Sequence, residues 1–395
     1  MPHDHASFVA SLRLARSRNI GSVAYHHLIQ RFGGAQAALE ALPDLASRAG
    51  KKRVIIAKAD DIEREIDTVQ RLGARHSVCG DEDYPPLLSH MESPPPVLII
   101  AGNTSLANRP TLAMVGARNS SAAARKLAFQ LASGLAGEGI VTVSGLARGI
   151  DTQAHQGAIH GSHRADAMTI AVIASGIDLQ YPPENADLQR TIAANGLLIT
   201  EYPPGTEPLA RHFPFRNRII AGLSYATLVV EAAPRSGSLI TARLANEQGR
   251  QVLAIPGSPL DKRSEGCNGL IREGATLVRN VEDIREALSN IGDFASPERS
   301  ANAYSKAEPR LLEEMLEPNM LAAEVEPPVA IDPQEIASDH DRISAHLSFA
   351  PITINDLAVL SEMAVEQVQA VLVELEITGQ LTRLAGGKVQ RAESD

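Results

Sequence analysis

The sequence predicts an α/β protein whose central part is a doubly wound, mostly parallel sheet, flanked by a helical domain and a second small domain. From residue 97 to residue 288, short apolar runs alternate with helical patterns, an order typical of parallel sheets covered by helices. Residues 1–75 show helical patterns separated by glycine turns. Residues 339–391 show three helical patterns followed by a hairpin, which is the layout of a winged helix.

Composition and charge limit the possible functions. The chain has 395 residues, 44% hydrophobic and 21% charged, which suits a globular protein of two or three domains. No apolar run has membrane-spanning length and the start carries no signal pattern, so we expect a cytoplasmic protein without membrane contact. Two distant cysteines exclude a disulfide framework and a cysteine zinc site. We expect neither a metal nor a cofactor.

The net charge of −10 argues against general binding of polyanions, although a local basic groove on an acidic body stays possible. Aromatic residues make up 3% of the chain and tryptophan is absent. A surface that stacks many bases on aromatic rings is therefore not expected.

Residues 1–80 are assigned to the helical domain. Its short helices and turns, for example around Ile20-Gly21 and Gly33-Gly34, resemble SAM-like or helix-hairpin-helix modules, in which a turn can offer backbone N–H groups to a DNA phosphate. The alternative is a small packing domain. We favour the packing domain because the turn is not a clean hairpin signature.

A proline-rich connector ends at Pro96 and opens the sheet domain, residues 84–290. The expected strands are residues 97–101, 112–115, 140–143, 168–174, 197–200, 225–233, 251–255 and 276–278. Ligands of such sheets bind beyond the carboxyl ends of the strands. The loops after three of these strands, at residues 116–121, 144–151 and 236–241, are the candidate binding elements.

Small and hydroxyl residues fill these three loops. Glycine lets a ligand approach the backbone closely, and a helix N-terminus attracts anions. Each loop can also be an ordinary turn with a serine cap, and Asp151 is more readily a cap than a general base. Three such loops on one sheet edge predict a ligand with several phosphates.

Arginines favour a nucleic-acid strand over a single nucleotide as that ligand. Arg118 stands in the first loop, and Arg211, Arg216 and Arg218 surround Phe213. Guanidinium groups match phosphate oxygens in geometry and charge. Phe213 or Phe215 could stack on one base, although a phenylalanine at a helix start more often packs in the core.

Residues 291–338 are dominated by Glu, Pro, Ala and Ser and predict a flexible, acidic linker. Residues 339–395 form the winged helix. Its third helical pattern, residues 365–376, is acidic and lacks the Arg, Lys and Asn side chains that read bases. For this domain we expect contact with protein rather than with DNA.

Four motifs occur in the order found in the DNA-processing protein A (DprA/Smf) family, and the sequence resembles that family over residues 84–289. The motifs are Ser144-Gly-Leu-Ala-Arg-Gly-Ile-Asp151, Phe213-Pro-Phe-Arg-Asn-Arg-Ile-Ile-Ala-Gly-Leu-Ser224, Ser236-Gly-Ser-Leu-Ile-Thr-Ala242 and Ile255-Pro-Gly257. The resemblance implies an extended Rossmann-like fold that binds single-stranded DNA without sequence preference, and double-stranded DNA more weakly. It also implies a homodimer, no enzymatic activity, and loading of the RecA recombinase onto incoming DNA in natural transformation.

By the same resemblance, Arg118 and residues 213–218 lie in the DNA pocket, with Arg211 as the basic residue ahead of the Phe-Pro pair. Together with the small loops, the expected DNA-binding residues are Arg118, Ser144, Gly145, Arg211, Phe213, Arg216, Asn217, Arg218, Ser236, Gly237 and Ser238.

A nucleotide phosphoribohydrolase of the lysine-decarboxylase-like group is the alternative. That group carries a Pro-Gly-Gly-x-Gly-Thr loop and a catalytic glutamate. Here residues 232–238 lack the Gly-Gly pair, and Glu231 precedes the loop on the strand. Dinucleotide, P-loop and nucleophile-elbow motifs are also absent from the sequence. The DNA-binding interpretation is therefore favoured.

Overall fold

The computed structural model describes residues 4–48, 55–162, 167–291, 339–340, 342–344, 346–347, 351–384 and 387–392. The predicted linker lies outside these residues except for Ile291. The chain divides into two compact units. Of the described residues, one unit contains those up to Phe8 and those from Ala59 to Ile291, and the other contains the N-terminal helices from Val9 together with the C-terminal domain.

The helices are α1 His5–Arg16, α2 Ser22–Phe32, α3 Ala35–Arg48, α4 Ala59–Arg71, α5 Pro86–Ser89, α6 Ala122–Gly137, α7 Ile150–Gly161, α8 Ala186–Asn195, α9 His212–Gly222, α10 Gly237–Glu247, α11 Glu265–Arg272, α12 Val281–Ser289, α13 Ile354–Ser361 and α14 Val365–Ile377. The strands are β1 Arg75–Val78, β2 Val97–Gly102, β3 Thr111–Val115, β4 Val141–Ser144, β5 Thr169–Val172, β6 Leu197–Thr200, β7 Ala226–Val229, β8 Gln251–Ala254, β9 Thr276–Leu277, β10 Ile352–Thr353, β11 Leu381–Leu384 and β12 Lys388–Arg391. None of the described helices is long and apolar enough to cross a membrane.

The first unit is built on one sheet, with its described strands in the order β1-β2-β6-β5-β4-β3-β7-β8-β9. The strands from β6 to β9 in this order pair in parallel, and β2 runs antiparallel to both β1 and β6. The mostly parallel sheet predicted from the strand–helix alternation is confirmed. Strands β3 to β7 are buried along their whole length, as expected when helices cover both faces.

Strand β1 was not predicted, because Arg-His-Ser-Val carries no apolar alternation. This segment forms a strand because its backbone pairs with Val97–Gly102, a contact that the local sequence does not indicate. Helix α9 was likewise not delimited from sequence, although it contains the Phe-Pro-Phe-Arg-Asn-Arg motif. Both elements depend on neighbours that are distant along the chain.

A topological switch point lies beside β3. From β3 the chain proceeds along the sheet through β4, β5 and β6, and then returns to β7 on the opposite side of β3. Crevices at such points, outside the carboxyl ends of the strands, are the usual ligand sites of open α/β sheets. The loops after β3, β4 and β7 therefore meet where a ligand is expected.

His155 of α7 is buried beneath this edge. Its Nδ1 lies 2.7 Å from Thr169 Oγ1, and that hydroxyl donates to the carbonyl of Thr142 at 2.9 Å. The hydroxyl has used its hydrogen, so the ring donates from Nδ1. Burial, together with the nearby Arg216 charge, lowers the pKa of His155 to about 3.

We expect this histidine to weaken the fold in acid. The unfolded chain binds a proton at His155 below about pH 6.5, whereas the folded chain does so near 3. The stability that the folded chain gains from keeping His155 neutral is therefore complete above pH 6.5 and is lost as the pH falls towards 3. Between pH 7.5 and pH 5 the free energy of unfolding should fall by about 2 kcal/mol on this account. Urea unfolding of His155→Leu should lack this loss; an unchanged pH dependence would contradict the assignment.

The second unit contains two small cores. Helices α1, α2 and α3 pack around Leu14, Leu28 and Leu42. Helices α13 and α14 pack with a small sheet in the order β10-β12-β11, which confirms the winged-helix layout. The first helix predicted for this domain, residues 343–347, falls partly outside the described residues.

Candidate nucleic-acid interface

Backbone contacts join the loops after β3, β4 and β7 into one surface. The N–H of Ala117 donates to the carbonyl of Glu231 at 2.7 Å, and the N–H of Ile150 donates to the carbonyl of Ala117 at 3.3 Å. Gly149 has a φ of 78°, and a Cβ there would overlap the carbonyls of Ala117 and Arg118. The close approach of the first two loops thus requires glycine at this position.

Arg118 stands at the rim of this surface. Its side chain is exposed, and its guanidinium carbon lies 4.9 Å from the centroid of the Phe213 ring. The ring of Tyr181 lies 6.0 Å from that of Phe213. A cation over an aromatic face is held electrostatically. These three side chains therefore form a wall of a cavity of about 330 Å³, which Gly145 and Ser175 also line.

Arg216 lies at the floor of the cavity and is 4% exposed. Its Nη1 donates to the carbonyls of Gly145 and Val172, and its Nε donates to Asn217 Oδ1 at 3.2 Å. Burial lowers the pKa of this guanidinium to about 10, so it stays charged at neutral pH. Arg216 was expected to contact phosphate. In the structure its hydrogen bonds join the loop after β4 to the end of β5.

Asp151 holds the same loop from the opposite side. Its carboxylate accepts hydrogen bonds from the N–H groups of Gly145, at 3.1 Å, and Ala147, at 3.4 Å. Burial raises its pKa, while the charge of Arg216 opposes that rise. The expectation that Asp151 caps α7 is wrong, because Gly149 occupies the N-cap position and Asp151 lies in the first turn, from which its carboxylate binds back to the preceding loop. The side chain is 6% exposed, which leaves a general base little access to a substrate.

Arg218 is also engaged within the protein. Its Nη2 forms an ion pair with Glu201, and both side chains are largely buried. Arg118 and Arg211, in contrast, are exposed and form no ion pair with any residue that the structure describes. Of the four predicted arginines, these two can present charge to an anion in solution.

The loop after β7 ends in a serine cap. Ser236 accepts a hydrogen bond from the N–H of Ser238 at 3.4 Å, and the two hydroxyls lie 2.8 Å apart. Gly237 is exposed at the start of α10, where an added Cβ would meet open space. A second cavity of about 780 Å³ runs from this loop to Arg118 and Phe213.

Arg235 was missed by the sequence reasoning. It is exposed in the same loop, has a φ of 65°, and forms no ion pair within the described part of the chain. It lines the second cavity with Arg118. Its place beside the Ser-Gly-Ser motif was the available signal.

Ser144 and Asn217 have internal partners. The Ser144 hydroxyl is buried and donates to the carbonyl of Met114 at 2.7 Å. Asn217 Nδ2 lies 3.5 Å from the carbonyl of Gly237, and its Oδ1 accepts from Arg216. Ser144 therefore lies beneath the surface, whereas Asn217 is half-buried and lines the second cavity.

Glu231 lines neither of these two cavities. Its carboxylate accepts hydrogen bonds from the N–H of Ser121 at 2.9 Å and from the Ser121 hydroxyl at 2.7 Å. Both oxygens are thus bound at the N-terminus of α6. This leaves the glutamate that the alternative enzyme would need without a free carboxylate. Within the described ranges, no cluster of His, Cys, Asp or Glu side chains could hold a metal ion.

Comparison with known proteins gives a consistent result along the chain. Residues 75–289 match the model for DNA recombination-mediator protein A. Residues 5–68 match the DprA-like N-terminal HHH domain, and residues 326–387 match the DprA winged helix domain.

Individual relatives cover both the whole chain and its sheet domain. Protein Smf of Synechocystis is 32% identical over 96% of this chain and 98% of that protein. DNA processing protein DprA of Streptococcus pneumoniae is 48% identical over 52% of this chain and 71% of that protein. The X-ray structure of the pneumococcal protein superposes with a TM-score of 0.60 at 33% identity, covering 72% of this chain and 98% of that one. With more than half of its residues matched by the family model, and nearly all of them by a relative at 32% identity, this chain belongs to the DNA recombination-mediator protein A family.

Proposed function

We propose that this chain binds single-stranded DNA without sequence preference and acts, as a cytoplasmic protein without enzymatic activity, in the processing of DNA taken up by transformation. The observation that carries the proposal is the group of exposed arginines at the switch point of the sheet. Arg118 and Arg235 line one cavity, and Arg211 is exposed at the start of α9. Guanidinium groups that contact phosphates bind any sequence alike.

The preference for a single strand follows from the cavity beside Arg118. An aromatic ring capped by a guanidinium can stack on a base that has left its neighbours. The Phe213 ring is partly exposed in a cavity of about 330 Å³, within the size range of small-molecule sites. A duplex keeps its bases stacked and offers the cavity only its backbone. Ser236, Gly237 and Ser238 would add the N-terminus of α10 as a further site for phosphate.

The proposal extends to two protein partners. We infer a homodimer and the RecA recombinase as the partner that receives the strand. The inference of RecA rests on membership in a family described as recombination mediators, because a mediator places a recombinase on DNA. The inference of a homodimer rests on the resemblance to that family alone. Faster assembly of RecA filaments on single strands, in proportion to the amount of this protein added, would be the expected result.

DNA titration tests the central claim. Labelled single strands of several sequences should bind with similar affinity, at least about tenfold more tightly than duplexes of the same length. The logarithm of the affinity should fall with the logarithm of the salt concentration, with a slope of about −0.7 for each phosphate contacted. Equal or tighter binding of the duplex, or affinity confined to one sequence, would refute the proposal.

A further inference from the structure

Helix α14 of the winged helix has two buried faces. Val368, Leu372 and Leu375 pack in the core of the winged helix itself. Val373 and Ile377 belong instead to the core that α1, α2 and α3 form. Residues four apart lie on the same face of a helix. The second face therefore contacts the N-terminal helices rather than solvent.

A buried carboxylate reinforces this contact. Glu374 is 3% exposed, and its Oε1 accepts a hydrogen bond from Arg31 Nη1 of α2 at 2.9 Å. Its Oε2 lies 2.7 Å from Nε2 of His340, in the winged-helix domain. A buried charge is tolerated when it is paired and hydrogen-bonded. Glu374 thus links the winged helix to α2 by an interaction that water does not screen fully.

The last turn of α14 faces the turn between α1 and α2. Asn19 Nδ2 donates to the carbonyl of Ile377 at 3.4 Å. A Cβ built on Gly21 would lie 3.5 Å from Oε1 of Glu376, whose Oε2 accepts from Arg383 Nε at 2.7 Å. Apolar, ionic and backbone contacts therefore all join the same two surfaces.

In winged helices that read DNA, the corresponding helix lies in the major groove. Here one face of it is covered and it carries glutamates where a DNA-reading helix carries Arg, Lys or Asn. We propose that α14 is a protein-binding helix whose partner is the N-terminal helical module α1–α3 of the same chain. The winged helix then contributes to the protein by holding that module and does not read duplex DNA through α14.

Cross-linking tests the identity of the partner. In the full chain, the two native cysteines are first removed by Cys79→Ser and Cys267→Ala. The changes Gly21→Cys and Glu376→Cys then place one thiol on each side of the contact, where a short bismaleimide can link them. We expect a cross-link within one chain, found as a linked pair of peptides from a monomer band at every protein concentration. Each single-cysteine protein is the control. Absence of the link overturns the proposal, and links formed between chains alone overturn the assignment to the same chain.

Hydrogen exchange and DNA binding give two further readouts. Val373→Asp should speed amide exchange in α2 and α3 by about tenfold or more and leave α13 protected, whereas Gln369→Asp, on the exposed side of α14, should change neither. Unchanged exchange in α2 and α3 contradicts the contact, and if α13 also loses protection, the cross-linking result decides.

Cross-linked protein should keep its affinity for duplex DNA within about twofold, because α14 contributes nothing to that affinity. A larger fall would show that a released α14 binds DNA.

Discussion

Replacing Arg216 with alanine is expected to lower the free energy of unfolding by about 3–5 kcal/mol, because it leaves buried partners without their cation. The carbonyls of Gly145 and Val172 would lose their donor, and Asp151 would lose the nearest compensating charge. Urea or thermal unfolding measures this loss. Arg216→Lys keeps the charge but not the planar guanidinium, so the stability of this variant should lie between that of the alanine variant and that of the parent.

The same change separates a positioning role from a phosphate contact. If Arg216 acts by shaping the loop after β4, single-strand affinity falls in the alanine variant while the salt slope of binding stays the same. A residue that itself neutralises a phosphate would reduce the slope by about 0.7. Full stability together with a reduced slope would return Arg216 to the set of direct contacts.

The double change Arg118→Ala with Arg211→Ala should, unlike Arg216→Ala, leave the stability of the fold unchanged and reduce the salt slope of DNA binding. Both side chains are exposed and without ion pairs among the described residues, so the free energy of unfolding should stay within about 0.5 kcal/mol of the parent. Single-strand affinity should fall about 100-fold or more at low salt, uniformly across sequences. The salt slope should shrink by about 1.4, since two phosphates lose their partners.

Arg285→Ala serves as the matched control for charge removal. Arg285 is exposed on α12 and forms a surface ion pair with Glu282, and it lines neither cavity beside Phe213. Its loss should leave the affinity near that of the parent. Intact affinity of the Arg118/Arg211 double variant in a low-salt titration would show that the pocket has been assigned wrongly.

Much of the architecture could be predicted because helices and strands are indicated by the local periodicity of the sequence. Buried parallel strands appear as short apolar runs, so β2 to β9 were expected close to their observed places. Loops at the carboxyl ends of such strands follow from the sheet class, and this is why residues 116–121, 144–151 and 236–241 were singled out together. The acidic third helix of the winged helix was likewise apparent from its composition.

Sequence by itself determined the family and the fold class, and it singled out the sheet edge at which we propose that DNA binds. It could not distinguish Arg216 from Arg118, since both are arginines in loop-and-helix motifs and their exposure depends on packing. Tertiary structure decided that α9 buries Arg216 against β4 and β5, and that Glu201 and Glu231 are held by Arg218 and Ser121. Those partners lie between 17 and 110 residues apart along the chain. The periodicity of the sequence indicates which face of a helix or strand is buried. Which residues contact that face depends on the tertiary structure.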